Sequence, residues 1–121
     1  MDNDASLKVR QRLNIRRKIH LEGLRAEAHR LAKAAADIGA QRVILFGSLV
    51  KGNAGLSSDL DLLIVLDSPL DFLERTAAVY QQLQPRVGTD MLVYTTEEMK
   101  RMSANSLVKH ALAEGQVLYE A

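Results

Sequence analysis

The sequence contains no cysteine and no tryptophan, and only 2 of its 121 residues are proline. Without cysteine the chain can form neither a disulfide nor a thiolate zinc site. This absence is consistent with a reducing compartment, and the first residues lack the charged-then-apolar layout of a signal peptide. No apolar run is long enough to cross a bilayer. We therefore expect a cytoplasmic protein that does not bind a membrane.

The residues that are present are typical of one small folded domain. Hydrophobic residues make up 47% and charged residues 26% of the chain, which is enough for a single core. The formal net charge of +1 is unevenly distributed, because residues 1–20 sum to +4 and the remainder to −3. The chain therefore divides into a basic N-terminal helical segment, residues 1–24, and a mildly acidic body, residues 25–121.

The most informative stretch is residues 47–65, which begins with a Gly-Ser turn and ends in an apolar run. Residues 60 and 62–66 are all Leu, Ile or Val, a pattern that predicts a buried strand. Because side chains alternate along a strand, Asp59 and Asp61 should point the same way. Neighbouring carboxylates repel each other unless a cation lies between them, and a hard divalent cation is the usual one.

The Gly-Ser half of this stretch supplies groups that suit a phosphate. Residues 43–46 predict a strand that ends at Gly47, and a glycine lets a ligand approach the backbone closely. Ser48 offers a hydroxyl and an amide to a phosphate oxygen. Lys51, one helical turn later, is either a phosphate-neutralising cation or a surface lysine. A turn of this kind beside a carboxylate pair predicts a site for a metal-bound nucleoside triphosphate.

These residues together resemble the signature of the DNA polymerase beta-like nucleotidyltransferases. The signature is a Gly-Ser pair, here Gly47-Ser48, then ten intervening residues and an Asp-x-Asp motif, here Asp59-x-Asp61. More narrowly, residues 25–121 resemble the minimal nucleotidyltransferase (MNT) antitoxins. The resemblance implies that this part of the chain is a minimal nucleotidyltransferase domain.

The resemblance also implies the remaining parts of the site. A third carboxylate comes from a later strand in that family, and Asp90, just before the apolar run 91–93, matches this position. Asp59, Asp61 and Asp90 would then hold two Mg²⁺ ions, with ATP as the substrate. The Gly-Ser turn would bind the β- and γ-phosphates, and catalysis would depend on positioning and charge neutralisation rather than on a protein nucleophile.

Strand and helix patterns alternate along the chain, which predicts an α/β fold with one small sheet. Residues 24–38 predict a helix that ends at Gly39; Asp4 is a candidate cap near residue 5, and the sequence leaves open whether residues 5–20 continue the same helix. We also expect a helix capped by Ser68 and ended by Pro85 and Gly88, and short helices beyond it. The sequence alone leaves the strand directions open. The resemblance implies a mixed sheet with helices mainly on one side, in a polymerase beta palm-like nucleotidyltransferase fold.

Histidines and tyrosines give weaker signals. His20, His29 and His110 are scattered, and none is paired with an acid at a ligand spacing on the apolar strands, so we expect solvated or capping roles. Tyr80, Tyr94 and Tyr119 are expected in the core or at an interface rather than in the chemistry.

The expected acceptor of the nucleotide belongs to another molecule. The MNT resemblance implies a HEPN-type toxin as partner, with one of its tyrosines receiving AMP, so that the chain would be an antitoxin. A second hypothesis is a non-catalytic nucleotide-binding module that neutralises its partner by forming a complex. The basic cluster at residues 8–18 is either a solvated helix face or a surface for an anionic partner, protein or nucleic acid.

Overall fold

The computed structural model describes residues 3–121, which form five helices and four strands. The helices are α1 (Asn3–Asp37), α2 (Ser48–Lys51), α3 (Phe72–Leu83), α4 (Thr96–Arg101) and α5 (Ser106–Glu114). The strands are β1 (Arg42–Phe46), β2 (Leu60–Val65), β3 (Thr89–Tyr94) and β4 (Gln116–Glu120). This order confirms the predicted alternation of strands and helices.

The four strands form one mixed sheet in the order β3-β2-β1-β4. Strand β1 runs antiparallel to β2 and β4, whereas β2 and β3 are parallel. Phe46 pairs in register with Asp61, and Asp61 pairs with Asp90. The mixed sheet confirms the predicted fold class. Its topology brings the turn after β1 to the edge of the sheet where β2 and β3 begin.

Helices pack on both faces of the sheet, and the two longest, α1 and α3, share one face. Helices α1 and α3 cover one face, where Leu31 and Leu62 belong to the larger core. Helix α5 covers the other face, where Val108 packs in a second core with Leu63. Strand β2 is apolar at consecutive positions, so both of its faces need cover.

Helix α1 is uninterrupted over 35 residues, so the basic N-terminal segment continues the helix that covers the sheet. Its C-terminal half buries Leu24 and Leu31, whereas Leu13 and Ile19 are 46% and 63% exposed. Gly39, with φ 101°, lets the chain reverse after the helix, as predicted. None of the helices in residues 3–121 is apolar enough over its length to span a membrane. The division at residue 24 stays a prediction.

Two predicted helix starts are shifted. Helix α1 begins at Asn3, so Asp4 lies within its first turn rather than ahead of it. Helix α3 is capped by Asp71 and not by Ser68, because the Asp71 carboxylate accepts the backbone N–H of Glu74 at 2.9 Å. Asp71 directly precedes the first residue of α3, whereas the Ser68 hydroxyl accepts the backbone N–H of Leu70 in the loop before the helix.

Side chains of α3 cover the outer edge of β3. The Tyr80 hydroxyl donates to the carbonyl of Thr89 at 2.5 Å and accepts the backbone N–H of Met91 at 2.9 Å. Buried Arg75 donates its Nε–H to the carbonyl of Val93 at 3.1 Å. These bonds satisfy backbone groups that an edge strand would otherwise expose, and they fix the backbone on both sides of the third aspartate.

Candidate functional site

The turn after β1 is built around Gly47, which precedes α2 with φ 82° and ψ −154°. This backbone conformation is essentially restricted to glycine. A β-carbon at Gly47 would also overlap with the carboxylate of Asp61, whose Cγ would lie only 3.0 Å away. Glycine is therefore required for both its backbone and its small size, and the Asp61 side chain lies directly against the turn.

Gly88 makes the corresponding space for Asp59. A β-carbon at Gly88 would lie 2.5 Å from Asp59 Oδ1 and 2.8 Å from its Cγ. The Gly88 carbonyl accepts the backbone N–H of Leu60 at 3.0 Å, which holds the segment before β3 against the start of β2. The sequence pattern predicts Gly88 only as the end of a helix. Its position two residues before Asp90 was the signal that could have indicated a role in the site.

The three predicted aspartates lie together where β2 and β3 begin. Asp61 and Asp90 are direct neighbours in register, and Asp59 directly precedes β2 with its carboxylate against Gly88. Burial raises the pKa of Asp61, and the negative charges of Asp90 and Asp59 raise it further. Within residues 3–121, no Lys, Arg or His forms an ion pair with any of them. The sheet therefore holds adjacent negative charges without a compensating cation.

The chemistry of these side chains fits a divalent cation. Carboxylate oxygens are the ligands that Mg²⁺ prefers, and a cation would relieve the repulsion that raises the pKa of Asp61. Across the described part of the chain, no three His, Asp or Glu side chains already form a closed ligand cluster. The three aspartates therefore repel one another, and a bound cation would draw their carboxylates together.

A cavity of about 260 Å³ opens beside Asp61, between α2 and α5. Apolar and ionisable side chains share its wall, which comprises Phe46, Gly47, Val50, Lys51, Asp61, Leu107, His110, Ala111 and Glu114. The sheet and α2 contribute the opposite charges of Asp61 and Lys51, whereas α5 contributes the polar pair His110 and Glu114. The cavity can therefore accept a ligand that has both an apolar part and a charged part.

The predicted site residues divide into two groups. Three of the six line this cavity, namely Gly47, Lys51 and Asp61. Asp59 and Asp90 are exposed and lie outside its lining, at the adjoining strand ends. Ser48 is half-buried at the first position of α2, and its carbonyl accepts the backbone N–H groups of Gly52 and Asn53. The roles of all six residues stay predictions.

Two further residues border the site. His110 is 70% exposed, as expected of a solvated histidine, but it also lines the rim of the cavity, where 3.7 Å separates its Nδ1 from Glu114 Oε1. Tyr80, expected in the core or at an interface, binds the backbone on both sides of Asp90. His110 and Glu114 lie four residues apart, so they are neighbours on one face of α5. Nothing in the sequence indicated which face of the sheet α5 would cover.

The basic helix α1 also contacts the segment that follows the Gly-Ser turn. Three of its side chains donate to backbone carbonyls there: Arg17 Nε to Ala54 at 3.0 Å, His20 Nε2 to Ser58 at 3.1 Å and Arg25 Nη2 to Leu49 at 3.4 Å. Exposed Arg17 and half-buried His20 therefore contact this segment, and whether the cluster at residues 8–18 also binds a partner stays a prediction.

Comparisons with known proteins agree with this geometry. No curated protein matches the chain in sequence. Among solved structures, a Sulfolobus solfataricus protein provisionally assigned as a nucleotidyltransferase has a TM-score of 0.62 at 18% identity, with 84% of each chain covered, and shares the fold. The sequence profile described as "Nucleotidyltransferase domain" matches residues 28–118, more than half of the chain. The chain therefore belongs to the nucleotidyltransferase domain family, whose general reaction is nucleotidyl transfer.

Proposed function

We propose that the chain transfers a nucleoside monophosphate from Mg²⁺-bound ATP to a hydroxyl group on another molecule. Family membership supports the reaction class. The observation that carries the rest is a group of neighbouring carboxylates that form no ion pair within residues 3–121. Asp61 lies against the Gly47 turn, Asp90 is its neighbour in register, and Asp59 lies against Gly88. Carboxylates this close to one another destabilise the fold unless a bound cation neutralises their charges.

The chain's own residues would act by position and charge. Asp59 and Asp61 would hold two Mg²⁺ ions, and Asp90 would help to hold one of them. Bound there, the ions would neutralise the triphosphate and lower the pKa of the acceptor hydroxyl. Gly47, having no side chain, would let the phosphates approach the backbone. Lys51 would place a positive charge near the triphosphate. No protein nucleophile is needed in this scheme.

The cavity is the proposed binding place of the nucleoside. Its volume of about 260 Å³ is close to the lower end of ligand pockets, about 300–1,000 Å³, and suits a nucleoside better than a whole triphosphate. The ring of Phe46 and the side chain of Leu107 would contact the base. The phosphates would then extend past Ser48 and Lys51 towards the aspartates.

The proposed acceptor is a tyrosine of a HEPN-type toxin, which makes the chain its antitoxin. The resemblance of the Gly-Ser and Asp-x-Asp spacing to the MNT antitoxins supports this choice. Helix α1 offers a second argument, because Arg10, Arg12 and Arg16 are exposed on it and would attract an acidic partner surface. A non-catalytic module would need the partner surface but not the aspartates.

Labelled ATP distinguishes these possibilities. The protein is incubated with Mg²⁺, the purified candidate toxin, and ATP labelled at either the α- or the γ-phosphate. We expect α-label on a toxin tyrosine and γ-label only in released pyrophosphate. Asp61→Asn should abolish the labelling, and Asp37→Asn, the same change at an exposed end of α1, should not. Label from the γ-phosphate on the toxin would contradict nucleotidyl transfer, and a complex without label would favour the non-catalytic module.

A further inference from the structure

Residues 52–59 connect the Gly-Ser turn to the first aspartate and form no helix or strand. The bonds within this loop are local, because Ser58 N donates to Gly55 O at 3.1 Å and Gly55 N donates to Ser58 Oγ at 2.9 Å. Among the described residues, the hydrogen bonds that tie residues 49–58 to elements beyond the Gly-Ser turn all come from α1. The conformation of the loop therefore depends on that helix.

We infer that Arg17, His20 and Arg25 are positioning residues that hold segment 49–58 in place and thereby prepare the nucleotide site. This inference rests on the proposed function, because segment 49–58 would align the Gly-Ser turn with Asp59 so that both contact the same metal-bound nucleotide. The three side chains act through the segment and do not themselves touch the nucleotide.

The geometry of α1 explains why these three residues act together. Their spacing of three and then five residues places them on one side of a helix. A carbonyl oxygen can only accept, so His20 Nε2 carries the hydrogen in its bond to Ser58. Ala54, which receives the Arg17 bond, is 3% exposed and packs in the larger core. The Arg17 bond therefore joins α1 to the buried point of the segment, and the bonds from His20 and Arg25 fix the segment on either side of it.

Arg16 provides a matched control for Arg17. It is exposed on the same helix, and within residues 3–121 it has no side-chain hydrogen bond or ion pair. Alanine at either position removes one positive charge from the same turn of α1. Only the change at Arg17 removes a contact to the segment. A general effect of charge on ATP binding would therefore appear in both variants, whereas positioning would appear only at Arg17.

The experiment compares the Arg17→Ala/His20→Ala double variant with Arg16→Ala in the full chain. Amide hydrogen exchange of residues 49–58 and the Kd for Mg·ATP, measured by calorimetry, are the two readouts. We expect the double variant to exchange about tenfold faster in this segment and to bind Mg·ATP about tenfold more weakly. Arg16→Ala should stay within about twofold of wild type in both. His20→Gln, which keeps a side-chain N–H donor, should behave like wild type.

Two results would overturn the inference. One is unchanged exchange in the double variant, and the other is faster exchange with an unchanged Kd for Mg·ATP. A wild type that binds no Mg·ATP would instead contradict the proposed function, and the exchange rates would still decide whether α1 holds the segment.

Discussion

Replacing Gly47 by alanine tests whether the turn is built to accommodate Asp61. Gly47 has φ 82° and ψ −154°, which costs any other residue about 1–3 kcal/mol. The new methyl group would also crowd Asp61, whose Cγ and Cβ would lie 3.0 and 3.3 Å away. Turning that side chain off its rotamer costs about 0.5–1.5 kcal/mol. We therefore expect Gly47→Ala to lower the free energy of unfolding by about 2–4 kcal/mol.

Gly52 is the matched control, because it flanks the other end of α2 with φ 81° and has open space where a β-carbon would lie. Gly52→Ala should cost about 1–2 kcal/mol and keep the transfer rate within about threefold of wild type. Gly47→Ala should lower that rate by about 100-fold, since a displacement of about 1 Å at Asp61 is enough. Urea denaturation and the rate of α-label transfer measure both effects. Equal transfer rates in the two variants would refute the reasoning.

Three further predictions concern single side chains. Folding raises the pKa of Asp61, so its ionised form destabilises the fold once the pH exceeds the usual aspartate pKa. In urea denaturation without metal, Asp61→Asn should therefore be at least as stable as wild type at pH 7 and should have no advantage at pH 3. Glu27 behaves in the opposite way, because its hydrogen bond to Arg30 lowers its pKa and its ionised form stabilises the fold. Glu27→Gln should lower the free energy of unfolding by about 1–3 kcal/mol at pH 7, and by less in acid, where Glu27 of the wild type is protonated. Tyr80→Phe should lose about 1–3 kcal/mol and reduce kcat more than the affinity for Mg·ATP, because the backbone around Asp90 is released. An unchanged kcat for Tyr80→Phe would show that this backbone needs no such support.

The sequence predicted the features that depend on neighbouring residues. The apolar run after Asp59 indicated β2, which begins at Leu60 and carries Asp61 as its second residue. The Gly-Ser turn and the carboxylate pair lie within 15 residues of each other, so their association could be read from spacing. The end of α1 at Gly39 likewise depends on one local conformation.

Features that depend on packing between distant segments could not be predicted. The choice of Asp71 over Ser68 as helix cap depends on where the chain leaves β2. The position of His110 in the cavity depends on which face of the sheet α5 covers, and periodicity carries no information about that choice. Arg17 binds a carbonyl 37 residues away in the chain, so its charge alone could not distinguish it from Arg16.

The most direct test of the central claim is the number of metal ions held at the aspartates in the nucleotide complex. Mn²⁺, which also prefers oxygen ligands, can be titrated by electron paramagnetic resonance with a non-hydrolysable ATP analogue. We expect about two Mn²⁺ ions per wild-type chain, about one in Asp90→Asn and none tightly held in Asp61→Asn, with Asp37→Asn unchanged. A wild-type protein that holds no more Mn²⁺ than the free analogue does, or an Asp61→Asn variant that holds as much as wild type, would contradict the account.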